Sequence, residues 1–141
     1  AFWADRYSRA FDYRNKMMAE ATRTRYIRCA DGGTIYMGKK PDLPKCANYP
    51  VQRAALSVMA RALIRHKDTL DAARACGEHR HTKMISTIHD AIIDETLRAD
   101  AGSCLRLMEK DMTDAYLDIF PAAPTKRLVE GGVGTSWANL E

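Results

Sequence analysis

The stretch Ile85–Thr96, ISTIHDAIIDET, decides how the chain folds. It is rich in isoleucine and broken near its middle by a His-Asp pair, His89 and Asp90. Burying an unpaired carboxylate is costly, so an acid inside an apolar run calls for a bend that carries it out of the core. The pattern predicts one strand over residues 83–88 and a second over residues 91–96, with His89 and Asp90 at the turn. Asp94 and Glu95, further along the second strand, read as exposed strand-end charges.

Outward from this hairpin, helical periodicity takes over on both sides. Leu105, Met108, Met112, Ala115, Tyr116 and Ile119 recur at helical spacing and predict a last helix over residues 101–120, which PAAP (121–124) ends. Upstream, Ala54, Ala55, Val58, Met59, Ala62 and Leu63 predict a helix that begins after Pro50 and frays between His66 and Gly77. KKPDLPKCANYP (39–50) holds three prolines and reads as a loop. YIRCADGGTIYMG (26–38) reads as a hairpin, because DGG tolerates positive φ between two β-prone runs. An opening helix over residues 2–24 uses Phe2, Tyr7, Ala10, Phe11, Met17 and Met18 as apolar contacts. A short strand in RLVEGGVG (127–134) and a tail with Trp137 finish the chain. The expected class is α/β of the α+β kind: one domain, 1–141, of helices on a small antiparallel sheet.

Composition sets outer limits. Of 141 residues, 46% are hydrophobic and 28% charged, the balance of an ordinary globular domain. No apolar run reaches the length of a membrane span and no signal peptide opens the chain, so no membrane partner is expected. The first residues already look like the inside of a helix, which predicts a fragment or a processed product. The net charge of +4 is unevenly spread, with Arg6, Arg9, Arg14, Lys16, Arg23, Arg25, Arg28, Lys39, Lys40, Lys45 and Arg53 crowding the first half. Such a distribution favours an anionic partner, and a solvated helix face accounts for part of it. Cys29, Cys46, Cys76 and Cys104 form no CxxC pair, which points to reduced thiols and a cytoplasmic location. CGEHRH (76–81) lacks a fourth zinc ligand and suitable spacing, and reads as a polar surface loop.

A carboxylate on a tight bend between two strands sits on a rigid support and suits a hard cation such as Mg²⁺. Two segments extend this idea. CANYPVQRAA (46–55) sets Asn48, Pro50 and Gln52 where a loop enters a helix, and GGVGTSWANLE (131–141) closes the sequence. With Ile88-His89-Asp90, in this order, they resemble the C-terminal palm region of family A DNA polymerases, the bacterial polymerase I type and its phage relatives. That family has an Asn-x-Pro-x-Gln segment at a helix start, an Ile/Val-His-Asp hairpin called motif C, and a terminal Gly-x-x-Trp.

The resemblance implies that Asp90 binds the catalytic Mg²⁺ ions and that His89 lies beside the primer terminus. It further implies that Asn48 and Gln52 contact the minor groove, where base edges offer acceptors at similar places whatever the pair. Lys45 and Arg53 become DNA contacts, Lys45 toward a phosphate. Ala91 stands where the family usually has Glu, Arg53 where it often has Gly, and Pro44 where it commonly has Arg. Motifs A and B, which supply the other catalytic aspartate and the grip on the deoxynucleoside triphosphate, are not among these residues. The expectation is therefore part of a DNA-directed DNA polymerase, acting on primer-template DNA with a second chain that carries motifs A and B, and inert alone. A non-catalytic basic α/β module that binds DNA or protein is the alternative. A one-metal nuclease on Asp90 is disfavoured, since no second carboxylate stands at a helpful spacing.

Overall fold

A computed structural model describes residues 6–136 and 139. Phe2 and Trp137, to which the sequence gives roles, lie outside the described residues. The order of elements is α1 (Ser8–Thr24), β1 (Tyr26–Arg28), β2 (Thr34–Tyr36), α2 (Leu43–Ala75), β3 (Lys83–Ile88), β4 (Ala91–Glu95) and α3 (Ala101–Leu117). Both sheets are two-stranded and antiparallel, so the class is α+β, as expected. The chain divides into two compact units, residues 1–57 and residues 58–141.

In the first unit, α1 ends at Arg25, whose left-handed backbone (φ 65°) lets its N–H return to the Ala21 carbonyl at 2.8 Å. The chain then enters the β1–β2 hairpin, with Tyr26 opposite Tyr36 and Arg28 opposite Thr34. Gly32, at φ 84°, supplies the positive φ that the DGG turn demands. Met17, Ala21, Ile27 and Cys46 form the core, with Met18 and Met37 against it. Tyr7 and Ala10 are exposed.

Helix α2 corrects the expected loop over residues 39–50. It starts at Leu43, so Pro50 lies inside it and Pro44 takes the first turn, where a missing N–H costs nothing. The Cys46 N–H bonds to the Asp42 carbonyl at 2.9 Å, so the ladder is already open a turn before Pro50, which the helix carries in its interior.

In the second unit, Ala62, Ile92 and Ala115 join α2, β4 and α3 in one cluster, flanked by Met59, Leu63, Met84, Met108 and Met112. The helix expected near residues 101–120 is present as α3. The strand expected in RLVEGGVG does not form among the described residues. That segment is irregular, and Gly131 lies so close to Leu105 of α3 that a Cβ there would clash.

Candidate functional site

The β3–β4 hairpin forms with the expected tip. Ile88 pairs with Ala91, leaving His89 and Asp90 as a two-residue turn. Such turns need positive φ at a central position, and His89 supplies it at φ 54°. Histidine enters this region more readily than most side chains, which β-branched residues avoid. Asp90 is exposed at the tip, while Ile92, two residues behind it, is only 7% exposed. Ile85 and Ile88 are exposed. Between Met84 and Ser86 the register shifts by one residue at Ile85, a bulge that marks the first strand.

Asp94 is not the exposed strand-end charge that the sequence suggests; Glu95 is exposed. The Asp94 side chain is 3% exposed and its Oδ2 lies 2.7 Å from Nε2 of His66, itself fully buried. Strand alternation explains the placement, because Asp94 shares a face with Ile92. On the other side of the ring, His66 Nδ1 lies 2.9 Å from Oδ2 of Asp111, whose Oδ1 accepts a hydrogen bond from Thr69 at 3.0 Å. Cys104 donates its Sγ–H to Asp94 Oδ2 at 3.2 Å.

Helical spacing brings these groups inward. Ala62, His66 and Leu70 share one buried face of α2, and Cys104, Asp111 and Ala115 share one of α3. Burial alone would lower the pKa of His66, but its hydrogen bonds to Asp94 and Asp111 and their charges outweigh that and raise it. Each ring nitrogen of His66 thus faces one carboxylate oxygen. Burial, then the Asp94 hydrogen bond, pushes the Cys104 thiol up to about 12. Oδ1 of Asp94 is buried without a hydrogen-bond partner.

Periodicity on α2 and α3, together with the parity of Ile92 and Asp94, carries the signal for this network. A polar residue on an apolar stripe is readily taken for a stripe edge, and sequence reasoning misses the cluster for that reason.

The remaining expected site residues lie in the first unit. Asn48 and Gln52 are both exposed, and their spacing of four puts them on one face of α2. Gln52 lines a shallow depression with Ile35, Tyr49, Arg53 and Leu56. Lys45 is exposed and forms a loose ion pair with Asp42 at 3.8 Å. Arg53 is engaged within the fold: its Nε donates to both carboxylate oxygens of Asp31 at 2.9 and 3.2 Å. Asp31 also accepts the Gly33 N–H at 3.0 Å and the Ser57 hydroxyl at 2.7 Å. The Ser57 and Gly33 hydrogen bonds, then Arg53, hold the Asp31 carboxyl below the usual carboxylate range. Arg53 thus fastens the first hairpin turn to α2.

In CGEHRH, His79 is buried, 6% exposed, with Nδ1 3.2 Å from the Thr82 hydroxyl, while Cys76, Arg80 and His81 are exposed. The loop is therefore only partly the surface segment expected. Among the described residues, no helix is long and apolar enough to cross a membrane. Comparison with known proteins gives no match to a family model, a curated protein or a solved structure.

Proposed function

We propose that this chain supplies the motif C hairpin of a family A DNA polymerase palm. Its substrates are primer-template DNA and deoxynucleoside triphosphates, and its partner is a second polymerase chain carrying motifs A and B. The supporting observation is the exposed Asp90 carboxylate on a two-residue tip, backed by buried Ile92. A carboxylate fixed on a paired hairpin is a hard oxygen ligand of the kind Mg²⁺ takes. Asp90 would hold such an ion, which when bound would supply charge neutralisation for nucleotidyl transfer. Asp90 ligates, and His89 beside it positions the primer end. Asn48 and Gln52 offer exposed amides to the minor groove, and Lys45 offers an ammonium to a phosphate. One carboxylate does not hold two cations, which is why the partner chain belongs to the proposal.

The test is Mg²⁺-dependent primer extension by this chain mixed with a chain that supplies motifs A and B. Asp90→Asn keeps size and removes charge, and is expected to slow extension on the order of a thousandfold. His89→Ala is expected to cost less. Full activity of Asp90→Asn overturns the assignment, and so does extension by this chain alone. A non-catalytic DNA-binding module is the second reading, favoured by the exposed basic residues of the first unit, Arg9, Lys16, Arg23, Arg25, Arg28 and Lys39 among them. Salt-sensitive duplex binding without extension in any mixture would select it.

A further inference from the structure

We infer that His66, Asp94 and Cys104 form a binding site for a zinc-class divalent cation inside the second unit, separate from Asp90. Their ligand atoms, one ring nitrogen, one thiol sulfur and one carboxylate oxygen, all lie within 4.8 Å of one another. Among the described residues, this is the group of histidine, cysteine and acidic side chains that comes so close. A mixed nitrogen, sulfur and oxygen donor set suits Zn²⁺ and its neighbours over Mg²⁺ or Ca²⁺. Each ligand comes from a different element, α2, β4 and α3, so a bound ion would tie the strand behind the hairpin tip to both helices.

Two further features point to a ligand. Asp94 Oδ1 is a buried acceptor with nothing to accept from, an unusual and costly state in a folded interior. A cation held through both oxygens of that carboxylate would give it a partner, since Oδ2 already faces His66 and Cys104. His66 also has the outer support that metal-bound histidines have. Asp111 holds Nδ1 from behind at 2.9 Å, and Thr69 holds Asp111 at 3.0 Å. A carboxylate behind the ring fixes the tautomer with Nε2 free to ligate.

A bound cation takes Cys104 as the thiolate and His66 through an unprotonated Nε2, the forms in which these side chains ligate. A tetrahedral ion with bonds of about 2.0–2.3 Å separates its ligands by roughly 3.3–3.7 Å. The present Nε2–Oδ2 distance of 2.7 Å therefore opens by a fraction of an ångström on loading, with Oδ1 or a water completing the shell. The site does not depend on the polymerase reading, and its test uses no DNA.

The experiment strips the full chain with chelator, then titrates it with Zn²⁺ and, for spectroscopy, Co²⁺. The expected result is one equivalent bound by calorimetry and a thiolate-to-cobalt absorption band. Cys104→Ala should abolish the band, Asp94→Asn should weaken binding at least tenfold, and Asp111→Asn should weaken it about 10–100-fold through the histidine. Circular dichroism must show each variant folded. Should a ligand variant fail to fold, the binding stoichiometry and the cobalt band of the wild type decide instead. Absence of stoichiometric uptake by the folded wild type overturns the inference. So does binding that survives Cys104→Ala but is lost in Cys76→Ala, which would put the ion on the 76–81 loop.

Discussion

The Nε2 atom of His66 and the Oδ2 atom of Asp94 meet at 2.7 Å in the interior of the second unit. The contact adds a polar link between α2 and β4 to the apolar packing of Ala62 and Ile92, and Asp111 holds the other side of the same ring. Removing the central member leaves the buried Asp94 and Asp111 side chains without the ring nitrogens that they face. In metal-free buffer His66→Leu is expected to cost about 3–5 kcal/mol by urea unfolding. Replacing His66, Asp94 and Asp111 together by apolar residues of similar volume is expected to recover most of that loss. An unchanged unfolding midpoint in His66→Leu would show that the network contributes nothing.

Arg53 and Gln52 are neighbours in sequence with different work. Arg53→Ala is expected to lower Tm, because Asp31 and the first hairpin turn lose their tie to α2. Gln52→Ala, at an exposed position, is expected to leave Tm within about 1–2 °C, since surface changes stay within ~0.5 kcal/mol. Differential scanning calorimetry separates the two, and a larger fall in Gln52→Ala would reverse the assignment.

Asp31 gives the first unit an acid dependence. Its folded-state pKa is lowered. Its contribution is therefore complete above the unfolded value of about 3.9 and disappears as pH falls through the lower folded value. Urea midpoints measured from neutral pH down into that range should fall for the wild type and fall less steeply for Asp31→Asn. Parallel curves would remove Asp31 from the account.

At the hairpin tip, His89 holds φ 54°. His89→Val is expected to destabilise by about 1–2 kcal/mol, since a β-branched residue resists the left-handed region. His89→Gly is expected to change stability by no more than about 0.5 kcal/mol. The glycine variant deletes the imidazole while keeping the turn, so primer extension with it reports the role of the side chain alone.

Much of this architecture is written in local rules. The apolar, isoleucine-rich flanks of His89-Asp90 and the DGG turn placed both hairpins, and the periodicity of Leu105 to Ile119 placed α3. What failed was competition between equal local signals. Pro44 and Pro50 both suit a helix start, and the helix begins at the earlier one. Asp94 failed for another reason. Its burial depends on His66 and Asp111, each distant in sequence, and no window of neighbouring residues contains that fact. Arg53 likewise looks like a free cation until Asp31 is seen beneath it.

Three of the four thiols are shut away: Cys29 and Cys46 in the first unit and Cys104 in the second, while Cys76 is open to solvent. The native chain thus offers one sulfur to an alkylating reagent, and each unit conceals a chronometer of its own opening. Pulsed labelling followed by mass counting would record one adduct for the intact molecule. The adducts at Cys29 and Cys46 would date the release of one unit, and that at Cys104 the release of the other, in a single sample without a mutation.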